Sequence, residues 1–408
     1  MELDLGDELR SFRDEIRTFL AENRVEQLAG VDPQPGFTGQ TEDDGASRAE
    51  AWRQWEAALA EQRLICPQWP EEVGGRGLGG LEMAVLNEEF DREGMPRVIR
   101  GMGESLVGPS IIVHGSDEQR AHFLPRIIDG TDRYCQGFSE PDHGSDLAGV
   151  ETRAVVDGDE VVVTGQKVWT SGAHLANTMF TLCRTDPDAP KHRGLSYVLV
   201  PMKREDGSSN GIDLQPLRQM SGASGFCQEF IEGARAPLFN VIGGLNNGWR
   251  VAMTTLGNER GGRATTMHLR YEREFWELVE TARKQSAADD RLVRQDLAWA
   301  YSQVELMRYS GLRLLSALAA KREPGPEASV NKLFWSEYHK RFGNVAINLV
   351  GAQGMIRPAG DGYRTDRWQQ VFLGSRAGTI FSGTSEIQRN IIAERSLGLP
   401  KEPLAAGQ

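Results

Sequence analysis

Hydrophobic positions fall into three regimes along the chain, and each regime predicts a different kind of element. Leu3 and Leu5 open a stripe that runs through Leu9, Phe12, Ile16, Phe19 and Leu20. From Leu5 to Phe19 the steps are four, three, four and three, the spacing of one helical face. Residues 30–46 interrupt it with Asp32-Pro33, Pro35-Gly36 and Asp44-Gly45, a loop composition. Ser47 and Glu50 have the form of a capping box and open a second predicted helix to about Arg63. Pro67, Trp69-Pro70 and a glycine cluster end it. Helices are expected again over 81–93, 104–114 and 117–129, the last between Ser116, Gln119 and Gly130.

The period changes at about residue 132. Two β-rich runs flank Asp157-Gly158, a strong hairpin signal. Further strands are expected at 178–184, 195–202, 212–217 and 227–231. After Gly248 the helical spacing returns. Val251, Leu256, Met267 and Trp276 predict one long helix. Leu297, Tyr301, Val304, Met307 and Leu315 predict a second, after Asp289-Asp290. Gly325-Pro326 opens a third through Val350, and Ser385 with Gln388 caps a fourth. The expected class is α+β: an N-terminal helical domain (1–131), a middle antiparallel β-domain (132–243) and a C-terminal four-helix bundle (244–408).

Composition narrows the function classes. A net charge of −12 over 408 residues argues against binding nucleic acid by phosphate neutralisation. The four cysteines form no CxxC pair, and the seven histidines form no HxxxH array. No metal site and no disulfide framework are therefore expected. The acidic start lacks the apolar core of a signal peptide, and no apolar run reaches the ~20 residues of a membrane span. These features lead to the expectation of a soluble cytoplasmic protein. Gly75, Gly77 and Gly80 match a dinucleotide-binding glycine spacing, but no strand precedes them, so a connecting loop is expected.

Two stretches carry candidate chemistry: Gln136 to Gly149, and Lys167 to Gly172. Together they resemble the flavin-facing strands of the acyl-CoA dehydrogenase family. The first matches the order small–apolar–Ser/Thr–Glu–x–x–small–Gly–Ser/Thr–Asp, with Phe138 bulkier than usual and His143 in place of a small residue. The second resembles the segment whose Trp packs beside the isoalloxazine. The resemblance extends over Trp69–Gly75, Pro216–Gly222 and Gly383–Ile392. The run from Ile391 to Pro400 is similar to actinobacterial members. An apolar wall with hydroxyl and backbone donors is what a flavin edge needs, and Phe138, Ser139, Trp169 and Ser171 can supply both. The competing reading is a glycine-rich turn with a core Trp169.

What the family resemblance implies is an acyl-CoA dehydrogenase binding FAD and acyl-CoA. Its electrons would pass to an electron-transfer flavoprotein, and it would assemble as a homotetramer or an α2β2 heterotetramer. In most members a catalytic Glu directly precedes the Gly-Thr near the C-terminus. Here that residue is Ser382, ahead of Gly383-Thr384, and serine alone cannot serve as the base. Other members carry the base before an Arg on the first bundle helix, which is Glu259 before Arg260 here. The competing reading pairs Glu259 with Arg263 on a solvated face. By position, Ser145 is expected beside the thioester and the flavin. Arg260 and Ser382 are expected near substrate. Asn348, Gly351 and Ala352 stand in place of a dinucleotide-contacting Gln–Gly–Gly, and Thr384 and Glu386 stand at a helix start suited to pyrophosphate. The family's Arg–x–x–Phe–Gly segment is not recognisable near 283–300. Two further readings stay open: a flavin monooxygenase or oxidase on the same fold, and a partner subunit lacking base or FAD.

Overall fold

The computed structural model describes residues 6–30, 46–261, 267–319, 327–356 and 365–401. Side chains of residues 46–48, 259–261, 318, 319 and 327 also lie outside the described set. The chain divides into two compact units, Met1–Leu217 with Ser224–Asn258, and Arg218–Ala223 with Glu259–Gln408.

The first unit begins with α1 (Gly6–Glu22), whose predicted stripe buries Ile16, Phe19 and Leu20. Its polar face holds Arg13 and Arg17 against the buried Glu89 of α3 (Gly80–Glu93) at 3.1 and 2.9 Å. Helix α2 (Ala46–Glu61) contributes Trp55, fully buried, whose indole N–H donates to Pro96 O at 2.8 Å. Ser47, expected as the cap of α2, has its side chain outside the described residues. The segment 103–107 is π-helical and runs into α4 (Gly108–His114). Helix α5 (Asp117–Ile128) carries the expected capping box, with Ser116 and Gln119 satisfying each other's backbone N–H. Gly75 and Gly77 lie in turn and loop, and Gly80 starts α3 with no strand before it, as the connecting-loop reading expects.

Eight strands are described in one sheet: β1 (Tyr134–Gly137), β2 (Arg153–Asp157), β3 (Glu160–Ser171), β4 (Thr178–Arg184), β5 (Leu195–Pro201), β6 (Ile212–Leu217), β7 (Phe226–Pro237) and β8 (Val241–Ile242). Their order is β6-β7-β3-β2-β4-β5-β8, with β1 on β4. Pairing is antiparallel along most of the sheet, whereas β1 runs parallel to β4. The period-2 alternation sorts side chains into two cores. Phe180, Leu182, Tyr197 and Leu199 join Trp55, Phe90 and Phe123 of the helices. Met179, Cys183, Val198 and Val200 pack with Val161, Val163, Cys227 and Ile231 on the other face. All four cysteines are reduced and buried.

The long helix expected from Val251 to Trp276 is described as two, α6 (Gly248–Gly261) and α7 (Met267–Lys284); residues 262–266 between them are outside the described set. The second unit contains α7, α8 (Arg291–Ala319), α9 (Glu327–Val350), α10 (Arg367–Ser375) and α11 (Ser385–Ile391). Its core gathers Tyr271, Phe275, Val304, Met307, Tyr338, Phe342 and Trp368. Asp290 starts α8 by accepting from the N–H groups of Leu292 and Val293 at 2.7 and 3.2 Å. Thr384, not Ser385, is the N-cap of α11, because its Oγ1 accepts from Ile387 N at 3.2 Å. Ser385 is turned inward instead and donates to Glu337 Oε1 at 2.7 Å.

Candidate functional site

The ladder between β3 and β7 shifts register between Lys167 and Thr170. Val168 and Trp169 therefore form a bulge, which re-aims the strand. Trp169 has φ 64°, the left-handed region that a bulky residue seldom adopts. Its indole is 60% exposed and lies edge-on to Phe226 at 6.0 Å between centroids. A large aromatic held out to solvent on a costly backbone is a surface built for a partner rather than for the core. Val168 N donates to Ser139 O at 2.9 Å, so the bulge is stitched to the segment after β1. Ser139 and Ser171 are both half-buried beside it. Phe138 faces inward. It is 5% exposed, and its ring is edge-on to Phe180 and Tyr197. What Phe138 adds to the site is a packed base.

A buried ion pair holds this surface. Lys167, fully buried, donates from Nζ to Glu140 Oε1 at 2.8 Å, Leu182 O at 2.9 Å and Phe138 O at 3.1 Å. Glu140 also accepts from the backbone N–H of Glu151 and Thr152 at 2.7 and 2.9 Å. Burial pushes the Glu140 carboxyl up, but Lys167 and the N–H donors outweigh it and hold the group below the usual carboxylate range. Behind the bulge, Thr170 Oγ1 donates to Glu229 Oε2 at 2.7 Å, with both residues fully buried. Burial raises the Glu229 carboxyl to about 7, against the opposing pull of Thr170 and Lys167. Ser145 lies exposed in the loop that follows Glu140.

In the second unit, Asn348 is exposed near the end of α9. Gly351 (φ 58°) and Ala352 follow in an exposed 3-10 turn. The 381–385 segment is pinned to α9. Lys332 Nζ of α9 donates to Gly383 O at 2.6 Å, and Gln388 Nε2 of the following α11 donates to Ser382 O at 2.9 Å. Ser382 has φ 53° and Gly383 φ 85°, so the chain makes a tight left-handed turn there. Glu386 is exposed. Its carboxyl lies below the usual range because its own backbone N–H and Thr384 bond to it. Glu259 and Arg260 belong to the last turn of α6, but their side chains lie outside the described residues.

Three family profiles match the chain in sequence: acyl-CoA dehydrogenase N-terminal domain over residues 6–131, middle domain over 135–231 and C-terminal domain over 246–397. The chain belongs to the acyl-CoA dehydrogenase family. It is 42% identical to acyl-CoA dehydrogenase IpdE1 of Mycobacterium tuberculosis, over 97% of this chain and 99% of that one. It is 40% identical to IpdE1 of Mycolicibacterium smegmatis, with the same coverage. Among solved structures it resembles the Tcur3481-Tcur3483 steroid ACAD, with TM-score 0.76 and 31% identity over 98% of this chain and 100% of that one. It also resembles the ChsE4-ChsE5 complex from Mycobacterium tuberculosis, with TM-score 0.73 and 27% identity over 99% and 100%.

For an acyl-CoA dehydrogenase, the residues of the β-domain fit a flavin: an exposed indole, hydroxyl-bearing neighbours and a backbone stitched into a rigid edge. Lys167, Glu140, Thr170 and Glu229 support that edge, and none was singled out from sequence. A signal for Glu229 does exist. It alternates with Cys227 and Ile231 on one face of β7, so a carboxylate stands where the period demands an apolar side chain.

Proposed function

We propose that the protein oxidises an acyl-CoA to the 2,3-enoyl-CoA with FAD as its resident cofactor and Glu259 as the base. The observation that carries the flavin reading is Trp169, exposed on a left-handed bulge that two buried hydrogen-bonded groups brace. Ser139, Trp169 and Ser171 would line the ring, Phe138 would back it, and Ser145 would sit toward the thioester. Asn348, Gly351, Ala352, Thr384 and Glu386 would hold the dinucleotide end, and Arg260 and Ser382 would lie near substrate. Glu259 accepts the α-proton at its carboxylate. Ser382 leaves the family's more common base position without a carboxylate. The chemistry that bound FAD supplies is acceptance of the β-hydride at N5. Electrons then pass to an electron-transfer flavoprotein.

For the substrate we propose a bulky, ring-bearing acyl group, supported by the likeness to a steroid ACAD. The assembly is a homotetramer or an α2β2 heterotetramer, and the likeness to two-chain complexes supports the second. Domain limits near 131/132 and 243/244 accompany this reading.

The deciding experiment is stopped-flow flavin bleaching without oxygen. Glu259→Gln should fold, hold FAD and bind acyl-CoA, while flavin reduction slows ~10²–10⁴-fold. Near-wild-type reduction in that variant refutes the assigned base. Reduced flavin that oxygen rapidly reoxidises with release of hydrogen peroxide turns the reading to an oxidase, and flavin that acyl-CoA does not bleach but a nicotinamide reductant does turns it to a monooxygenase.

A further inference from the structure

Glu229 is a buried acid with no part in the reaction proposed above. It stands in mid-β7, directly opposite Lys167 in the antiparallel ladder. Yet Lys167 directs its ammonium to Glu140 and two carbonyls. Glu229 is left with one side-chain donor, Thr170 Oγ1, and its Oε1 has no hydrogen-bond partner among the described residues. A buried, half-satisfied carboxyl costs stability, so its place here calls for an explanation. Its side-chain hydrogen bond runs to the residue that closes the Trp169 bulge, between the exposed indole and the Ser171 hydroxyl.

We propose that Glu229 is a positioning residue: through Thr170 it sets the Trp169–Ser171 bulge, and its protonation changes that setting. The proposal rests on the reading that this bulge faces a flavin. As a carboxylate, Glu229 can only accept from Thr170. As an acid it carries a proton of its own and can donate to the hydroxyl, which frees the threonine proton to turn elsewhere. The charged and titratable groups facing it are Lys167 on β3, Cys135 on β1 and Cys227 on β7. Leu214, opposite it on β6, is apolar. Desolvation places the Glu229 transition at about 7, so both protonation states are populated near neutrality.

The test uses the FAD-loaded protein, titrated from about pH 5.5 to 8.5, with flavin absorption and flavin fluorescence as readouts. The wild type should show a spectral transition near neutral pH. Glu229→Gln, which keeps the shape, and Glu229→Leu, which suits the apolar surroundings, should both give pH-independent flavin spectra. Thr170→Val should lose most of the spectral transition while the Glu229 carboxyl still titrates in infrared difference spectra. A transition that persists in both Glu229 variants overturns the proposal. So does a flat wild-type flavin spectrum alongside a titrating carboxyl band. A merely structural Glu229 would change thermal stability and leave the flavin spectra alike. Protein that binds no flavin sinks the cofactor reading first and this inference with it, an outcome distinct from the other two.

Discussion

Lys167 and Glu140 show at single-residue scale what it costs to hold the Trp169 surface in place. Removing the ammonium strands a buried carboxylate. Lys167→Met is therefore expected to destabilise by about 3–5 kcal/mol in denaturant unfolding. The double variant Lys167→Met with Glu140→Gln should lose less than the sum of the single changes, since the two groups share one network. Strictly additive losses would show that the pair is not coupled. Glu229 makes the opposite contribution. Its native carboxyl binds a proton more tightly than an unfolded one, so its stabilisation is complete below about pH 4.5 and disappears as pH rises through about 7. Across that window the wild type should lose on the order of 3 kcal/mol relative to Glu229→Gln. Parallel stability curves for the two proteins would contradict this.

At the scale of elements, the β3 bulge and the helix caps give separable expectations. Trp169→Gly relieves the left-handed backbone at a site where the lost side chain is mostly exposed. Unfolding free energy should hold steady or rise by about 1 kcal/mol while flavin retention falls. Loss of several kcal/mol would mean that the indole is packing core after all. Ser116→Ala removes one arm of the α5 capping box and should cost about 1 kcal/mol without touching the flavin spectrum. The capping boxes illustrate what local sequence resolves. Ser116 and Gln119 were legible because the cap and the periodic run are adjacent in the chain. Asp366 and Gln369 form an equally good box at α10, ahead of a helix too short to show a clear apolar stripe in the sequence. The shift from Ser385 to Thr384 at α11 has a tertiary cause: Glu337 of α9 takes the Ser385 hydroxyl.

At the scale of the whole molecule, flavin content and substrate choice are the tests. Flavin released from denatured protein should chromatograph as FAD. Native mass spectrometry should count flavins per chain and separate the homotetramer from an α2β2 assembly. Release of FMN, or none from the native complex, defeats the cofactor assignment. In an anaerobic panel, ring-bearing acyl-CoAs should bleach the flavin faster than short straight-chain ones; the reverse order removes the proposed substrate class. No helix among the described residues is long and apolar enough to cross a membrane.

The order of helical, β and helical regions follows from the sequence alone, because a buried face imposes its period on every residue that contributes to it. The same local logic placed the Asp157-Gly158 hairpin and strands 178–184 and 212–217, whereas Trp169 and Ser139 were marked by the family resemblance of their segments. Tertiary structure decided what those residues are held by. Lys167 and Glu140 are 27 residues apart and Thr170 and Glu229 are 59 apart, and no local rule pairs side chains across such gaps. It also decided that Phe138 turns inward and that Trp169 stays out, because the bulge exists only where β7 fails to match β3 residue for residue.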